Sequence, residues 1–190
     1  GCGKAPDTSM SPNDSRQSSI YPVRRCLTAL LALLFLLGGP GCTDAASDRV
    51  DRARVFDGDS FEARRADGRR VEVRLFGIDA PERYQAWNRR SRSALRDLVD
   101  GESLSLRVVE VDRYDRLVVE VFLPDGRSVN AAQVEEGNAW VYRRYTDDAR
   151  LIGLEEEARA ARRGLWSMPA HEQVPPWEWR RQQRESGGGR

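Results

Sequence analysis

A chain of 190 residues, 39% aliphatic or aromatic and 32% charged, has apolar material for one ordinary domain with a real core but is too polar for a membrane bundle. A formal charge of +1 gives no sign of a partner recognised by bulk positive charge. The single histidine, His171, and cysteines confined to Cys2, Cys26 and Cys42 exclude histidine-based acid–base chemistry and cysteine or multi-histidine zinc cages from the body of the chain.

The N-terminal region stands apart. Arg24-Arg25 precede an apolar run from Cys26 to Leu37, and Gly38-Gly39-Pro40-Gly41-Cys42 follow it. The run breaks before the roughly 20 apolar residues a membrane span requires, so residues 1–42 read as an export segment, for which Met10 offers a tidier start. The segment resembles a bacterial lipoprotein signal with Cys42 as the lipidated residue. The expected location is therefore the outer membrane or periplasm, through a lipid anchor, or the medium after simple cleavage. With Lys4, Arg16, Arg24, Arg25, Asp7 and Asp14 set aside, 27 basic and 28 acidic residues remain, and every one of those bases is arginine. Arginine presents a planar fork that matches phosphate.

Residues 43–49 read as a linker, and a domain is expected over residues 50–168. Its apolar and alternating runs at Arg54–Phe56, Ser60–Ala63 and Val71–Ile78 predict three strands in a meander, with Asp67-Gly68 as the turn between the second and third. Trp87, Ala94, Leu95, Leu98 and Val99 share one helical face, and Asp100-Gly101 stops that helix. Leu104, Leu106 and Val108, then Leu117 to Leu123, predict two more strands, followed by a second turn at Asp125-Gly126. Ser128 is placed to cap a helix over Val129–Glu136, which Gly137 ends. Leu151, Leu154, Ala158, Ala161 and Leu165 predict a last packing helix, and residues 169–190 read as a frayed tail rich in proline, arginine and glycine. The expected fold class is α+β: a five-stranded barrel of the oligonucleotide/oligosaccharide-binding (OB) type with three packing helices.

Chemistry concentrates where strands end. Asp57-Gly58-Asp59 joins the first two strands, and Asp79-Ala80-Pro81-Glu82 follows the third. Adjacent antiparallel strands bring these joins to one rim. Either group alone is an ordinary turn or helix cap, but together they gather like charges that require a cation among them. An all-oxygen donor set suits a hard divalent ion such as Ca²⁺. Pro81 stiffens the turn and biases Ala80 toward extended backbone. Arg74 and Arg116 lie beside this rim and suit an anionic phosphodiester, whose transition-state charge a cation and two guanidinium groups would neutralise. With the one histidine, His171, far along the chain from these acids, a glutamate is left for base work.

Asp57-Gly58-Asp59, Arg74-Leu75 through Glu82, Asp112-Arg113-Tyr114-Asp115-Arg116, Val129-Asn130 and Gly137, in that order, resemble the staphylococcal nuclease (thermonuclease) family from about Val55 to Trp166. The resemblance implies a Ca²⁺-dependent nuclease that cleaves DNA and RNA with little sequence specificity and leaves 3′-phosphate ends. It implies that Asp59, Asp79 and the Ala80 carbonyl bind Ca²⁺ with support from Asp57, that Glu82 activates water, and that Arg74 and Arg116 hold the scissile phosphate. Arg113, Tyr114, Tyr142 and Tyr145 are the expected substrate contacts. Arg143, at a family tyrosine position, and a short loop carrying Arg83, Arg89, Arg90 and Arg92 depart from the pattern. The alternatives are a non-catalytic OB-fold module that binds nucleic acid and a structural envelope lipoprotein; a lipid anchor and no obligate protein partner are further expectations.

Overall fold

The computed structural model describes residues 48–187, so Cys42 and the export segment lie outside the described residues. Strand β1 (Asp48–Val55) begins six residues before the apolar signal does. Only Val50 and Val55 are buried along it, an odd spacing that hides the period-two pattern. The register shifts between Asp51 and Arg54, and Arg52 sits at φ 52°, which marks a bulge. The bend lets one strand serve two neighbours: Val50 pairs with Arg65 of β2 (Ser60–Arg65) and with Leu104 of β5 (Leu104–Val111).

The β2–β3 turn forms as expected, with Gly68 at φ 82° before β3 (Arg70–Leu75). β3 then pairs in parallel with β6 (Leu117–Phe122), setting Arg74 opposite Val118, and β6 pairs antiparallel with β5. The strand order β1-β2-β3-β6-β5 closes a five-stranded barrel. Phe61, Val73, Leu104, Val119 and Val121 fill it, all essentially inaccessible to solvent.

The run expected as one strand over Val71–Ile78 is divided. Gly77, at φ 76°, turns the chain out of the barrel, and Ile78–Asp79 becomes a separate strand β4. It pairs with β7 (Trp140–Val141), opposing Asp79 to Trp140. Helix α1 (Asn88–Val99) buries Ser91, Leu95 and Val99 and starts after Trp87, not at it. Helix α2 (Val129–Glu135) is capped by Ser128, whose hydroxyl accepts the Ala131 N–H at 3.2 Å. Helix α3 (Ala149–Ala160) ends earlier than expected, and Leu165 falls in a short 3₁₀ turn, Gly164–Ser167.

The frayed tail is a correction. Residues Pro176–Gly187 form a fourth helix, α4, with Pro176 at its first turn, where a missing N–H costs nothing. Trp177 stacks on Tyr142, ring centroids 5.1 Å apart and planes 2° from parallel. Packing and ion pairs, which composition does not display, hold this segment.

Candidate catalytic site

The rim begins with Gly58, and its glycine is required by crowding. A Cβ there would lie 1.8 Å from Ser91 Oγ and 2.7 Å from the Ala80 Cβ. Gln133 of α2 donates Nε2–H to the Gly58 carbonyl at 2.6 Å, fixing the loop against two helices. Asp57 shapes the same turn: its Oδ1 accepts from the Asp59 N–H at 3.1 Å and from Ser60 Oγ at 2.7 Å. The outcome is that Asp59 points inward, 5% exposed, and its Oδ2 accepts the Ala80 N–H at 2.5 Å.

Asp79, delivered by the short β4, is 1% exposed. Arg74 joins the two acids: its Nη1 lies 3.1 Å from Asp59 Oδ2 and its Nη2 donates to Asp79 Oδ1 at 3.0 Å. Asp59, in the loop before β2, and Asp79, in β4, meet on one guanidinium. Burial pushes the Asp59 carboxyl well above the ordinary aspartate range; Arg74 opposes the shift, while neighbouring Asp57 and Asp79 add to it. The raised value is the physical sign of too much negative charge for the local solvation, a condition that additional positive charge relieves.

A second guanidinium supplies part of that charge, and sequence reasoning missed it. Arg180 of α4 donates Nη2–H to Asp79 Oδ2 at 2.8 Å, and its Nη1 reaches Asp79 Oδ1 at 3.2 Å and Glu82 Oε1 at 2.5 Å. Partial burial works against its positive charge, but the bonds to Asp79 and then Glu82 more than compensate and raise its proton affinity above that of an ordinary arginine. The only sequence signal was a Pro-Pro-Trp start ahead of arginines at helical spacing.

Glu82 is placed with equal care. Its N–H donates to Gln85 Oε1 at 2.9 Å and its carbonyl accepts the Gln85 N–H at 2.9 Å, while Asn88 Nδ2 donates to the Pro81 carbonyl at 2.6 Å. Gln85 is itself tied to the Val174 carbonyl. Arg74, Asp57, Asp59, Asp79, Ala80 and Glu82 are thus brought together by contacts and short loops.

The remaining predicted residues divide. Arg116 precedes Leu117, which pairs with Val73, while Arg74 pairs with Val118, so the β3–β6 pairing sets the two arginines two register positions apart. Arg116 forms an ion pair with Asp112 at 2.8 Å, Asp112 having a lowered carboxyl pKa: its slight burial works the other way, but bonds from Arg116 and Tyr114 prevail. Tyr114, 64% exposed, receives a hydrogen bond from Arg113 Nη2 at 2.6 Å, with the Arg116 guanidinium 5.6 Å from its ring. Tyr145 packs edge-on against Tyr142 at 4.8 Å, and Tyr142 is covered by Trp177, so this pair faces α4. Arg143 lies 3.0 Å from Glu155, a buried carboxylate of α3 that also accepts the Val141 N–H at 2.9 Å. Arg143 is thereby a brace for β7.

A closed five-stranded barrel with acids and guanidinium groups on one rim defines an OB-type α+β protein equipped to handle an anionic ligand. Residues 72–168 match the family described as staphylococcal nuclease homologue, and the chain belongs to that family. It is 41% identical over 149 residues to an "Uncharacterized endonuclease" of Escherichia coli O157:H7, covering 78% of this chain and 94% of the relative. It is 37% identical over 160 residues to "Micrococcal nuclease" of Shigella flexneri, covering 79% and 88%. The similarity extends to "Probable staphylococcal-like nuclease CAN1" of Oryza sativa subsp. japonica, at 37% over 116 residues, covering 61% of this chain and 34% of the relative.

Proposed function

We propose that the protein is an exported, Ca²⁺-dependent nuclease that hydrolyses DNA or RNA with little sequence specificity and leaves 3′-phosphate ends. One observation carries the reading: Asp59 and Asp79, remote in sequence, converge on Arg74 with Glu82 attached to the same network through Arg180. Family membership and relatives named as nucleases support it. Residues 1–42, with Cys42 as the lipid-bearing residue, would carry the enzyme out of the cytoplasm.

The donor chemistry fits a hard cation: two buried carboxylates, one of them raised by its burial and further by its acidic neighbours, beside a backbone carbonyl. Among the described residues no three carboxylate, cysteine or histidine side chains form a ready cage, so Asp59, Asp79 and the Ala80 carbonyl would hold Ca²⁺ with water completing its shell, and Asp57 would keep Asp59 aimed. Bound there, Ca²⁺ supplies Lewis-acid stabilisation of phosphoryl charge. Glu82 takes a proton from the attacking water, the water oxygen bonds to phosphorus, and the bond to the 5′-oxygen breaks as that oxygen takes a proton from solvent to leave as a hydroxyl. Arg74 and Arg116 hold the phosphoryl oxygens as their charge rises.

The test is a gel with labelled DNA and RNA incubated with the protein in Ca²⁺ and in excess chelator. Cleavage is expected only with Ca²⁺, and full activity in chelator rules out the cation's role. Arg180 sharpens the test, because it holds both Asp79 oxygens that a cation would approach. Arg180→Gln is expected to lower the calorimetric Kd for Ca²⁺ by about tenfold, the discounted equivalent of one charge-assisted hydrogen bond on a side chain one-third exposed. An unchanged Kd would show that the two charges do not compete.

A further inference from the structure

Beside the acidic rim lies an open cleft of about 1110 Å³ whose lining includes Glu82, Arg83, Tyr84, Arg89, Arg90 and Arg92. It shares Glu82 and Asp57 with the site above, and Phe56, Met168 and Glu172 complete its lining. The four arginines are at the surface, and among the described residues none forms an ion pair with a carboxylate. Of the three lining acids, Glu82 is already paired with Arg180, Asp57 accepts from the Asp59 N–H and the Ser60 hydroxyl, and Glu172 lies 3.8 Å from His171, so four arginines face three acids. The cleft therefore carries surplus positive charge in a chain that is nearly neutral overall.

Aromatic faces alternate with this charge. Tyr84 is 81% exposed and Phe56 39%. The Arg83 guanidinium stands 4.9 Å from the Tyr84 ring centre and that of Arg90 4.4 Å from Trp87. Tyr84 and Trp87 both sit at positive φ, 70° and 69°, a conformation that bulky residues adopt only when their surroundings impose it. The Glu82–Gln85 bonds, Asn88 on Pro81, Gln85 on Val174 and Trp87 Nε1 on Asn138 Oδ1 at 3.1 Å impose it. Backbone strain is being used to hold a large ring in water, the reverse of what core formation rewards.

We infer that this cleft binds a single-stranded polynucleotide beyond the scissile phosphate, Arg83, Arg89, Arg90 and Arg92 taking successive phosphates and Tyr84 stacking on a base. The inference rests on the nuclease reading for the identity of the ligand. Exposed guanidinium groups interleaved with aromatic rings are the chemistry of sequence-tolerant strand binding. Double-stranded substrate would present no free base face to Tyr84, so the cleft favours unpaired strands.

The test uses the whole chain and fluorescently labelled 20-nucleotide DNA and RNA strands in chelator, where cleavage is off and binding is read by anisotropy. The double variant Arg89→Ser/Arg90→Ser is expected to raise Kd about tenfold and to reduce the slope of log affinity against log salt by about 0.7 for each phosphate no longer neutralised. Tyr84→Ala is expected to raise Kd about fivefold or more, with little change in slope. Arg127→Ser, beside the Asp125-Gly126 turn and outside the cleft lining, controls for net charge and is expected to leave Kd unaltered. These side chains are exposed, so the variants fold. Unchanged Kd and slope in the double variant, or a parent protein that binds neither strand, overturns the inference. A parent that binds through these residues yet leaves both strands intact in Ca²⁺ refutes the nuclease reading and keeps the cleft.

Discussion

Glu82→Gln is expected to reduce turnover on single-stranded DNA by about 10²–10⁴-fold while leaving the Kd for the strand within about twofold. The carboxylate is 38% exposed, and what fixes its position is backbone: the Glu82 N–H and carbonyl both bond to Gln85. The amide keeps the shape and removes the capacity to accept a proton. The bond from Arg180 survives on the amide oxygen, so the site keeps its geometry and changes its chemistry. Single-turnover cleavage with Ca²⁺, set beside anisotropy in chelator, separates the two quantities. A variant that cleaves at the parent rate would remove Glu82 from its role.

The second large effect belongs to Arg74→Ala, which strikes stability and catalysis through the same atoms. Arg74 is 16% exposed and lies between two acids exposed by only 8% and 2% of their side chains. Its removal leaves Asp59 with an N–H bond from Ala80 and no cation, while Asp79 retains Arg180. Breaking such a buried pairing costs about 3 kcal/mol. Thermal unfolding in chelator should show that loss, and added Ca²⁺ should recover part of it by taking the vacated charge position. Cleavage is expected to fall by about 10²–10³-fold even with Ca²⁺ saturating, since one donor to the transition state is gone. Equal losses of stability with and without Ca²⁺ would mean that the two acids do not share a cation site.

How much of this was readable in advance follows from what each residue type reveals. The Asp67-Gly68 turn, the Ser128 cap and the two-acid rim were legible because local chemistry specifies them: positive φ, a hydroxyl acceptor, carboxylates at strand ends. The first half of β1 was not, since a bulge at Arg52 spaces its two buried valines five residues apart and its other side chains are charged or exposed. Gly77 hid inside an apolar run, and only the φ of 76° explains why Asp79 leaves the barrel to meet Asp59. Gly58 was read as a turn glycine; its real constraint is the approach of Ser91 and Ala80, a tertiary fact. Gln133 and Glu155 are polar residues on helices with no local sign of burial, yet one holds the Gly58 carbonyl and the other the Val141 N–H. Arg180 was the most consequential omission, because a polar segment after two prolines gives no local reason to dock.

That docking makes the last helix an electrostatic component of a rim built elsewhere in the chain. Arg180 reaches Asp79 from 101 positions downstream, and α4 contributes no strand to the barrel. Proteolytic clipping ahead of α4, or a frameshift late in the reading frame, would therefore remove no barrel strand, yet it would uncover the Trp177 packing face and retune the ion demand of the rim. Such an alteration would show itself first in the divalent-ion concentration that the rim demands.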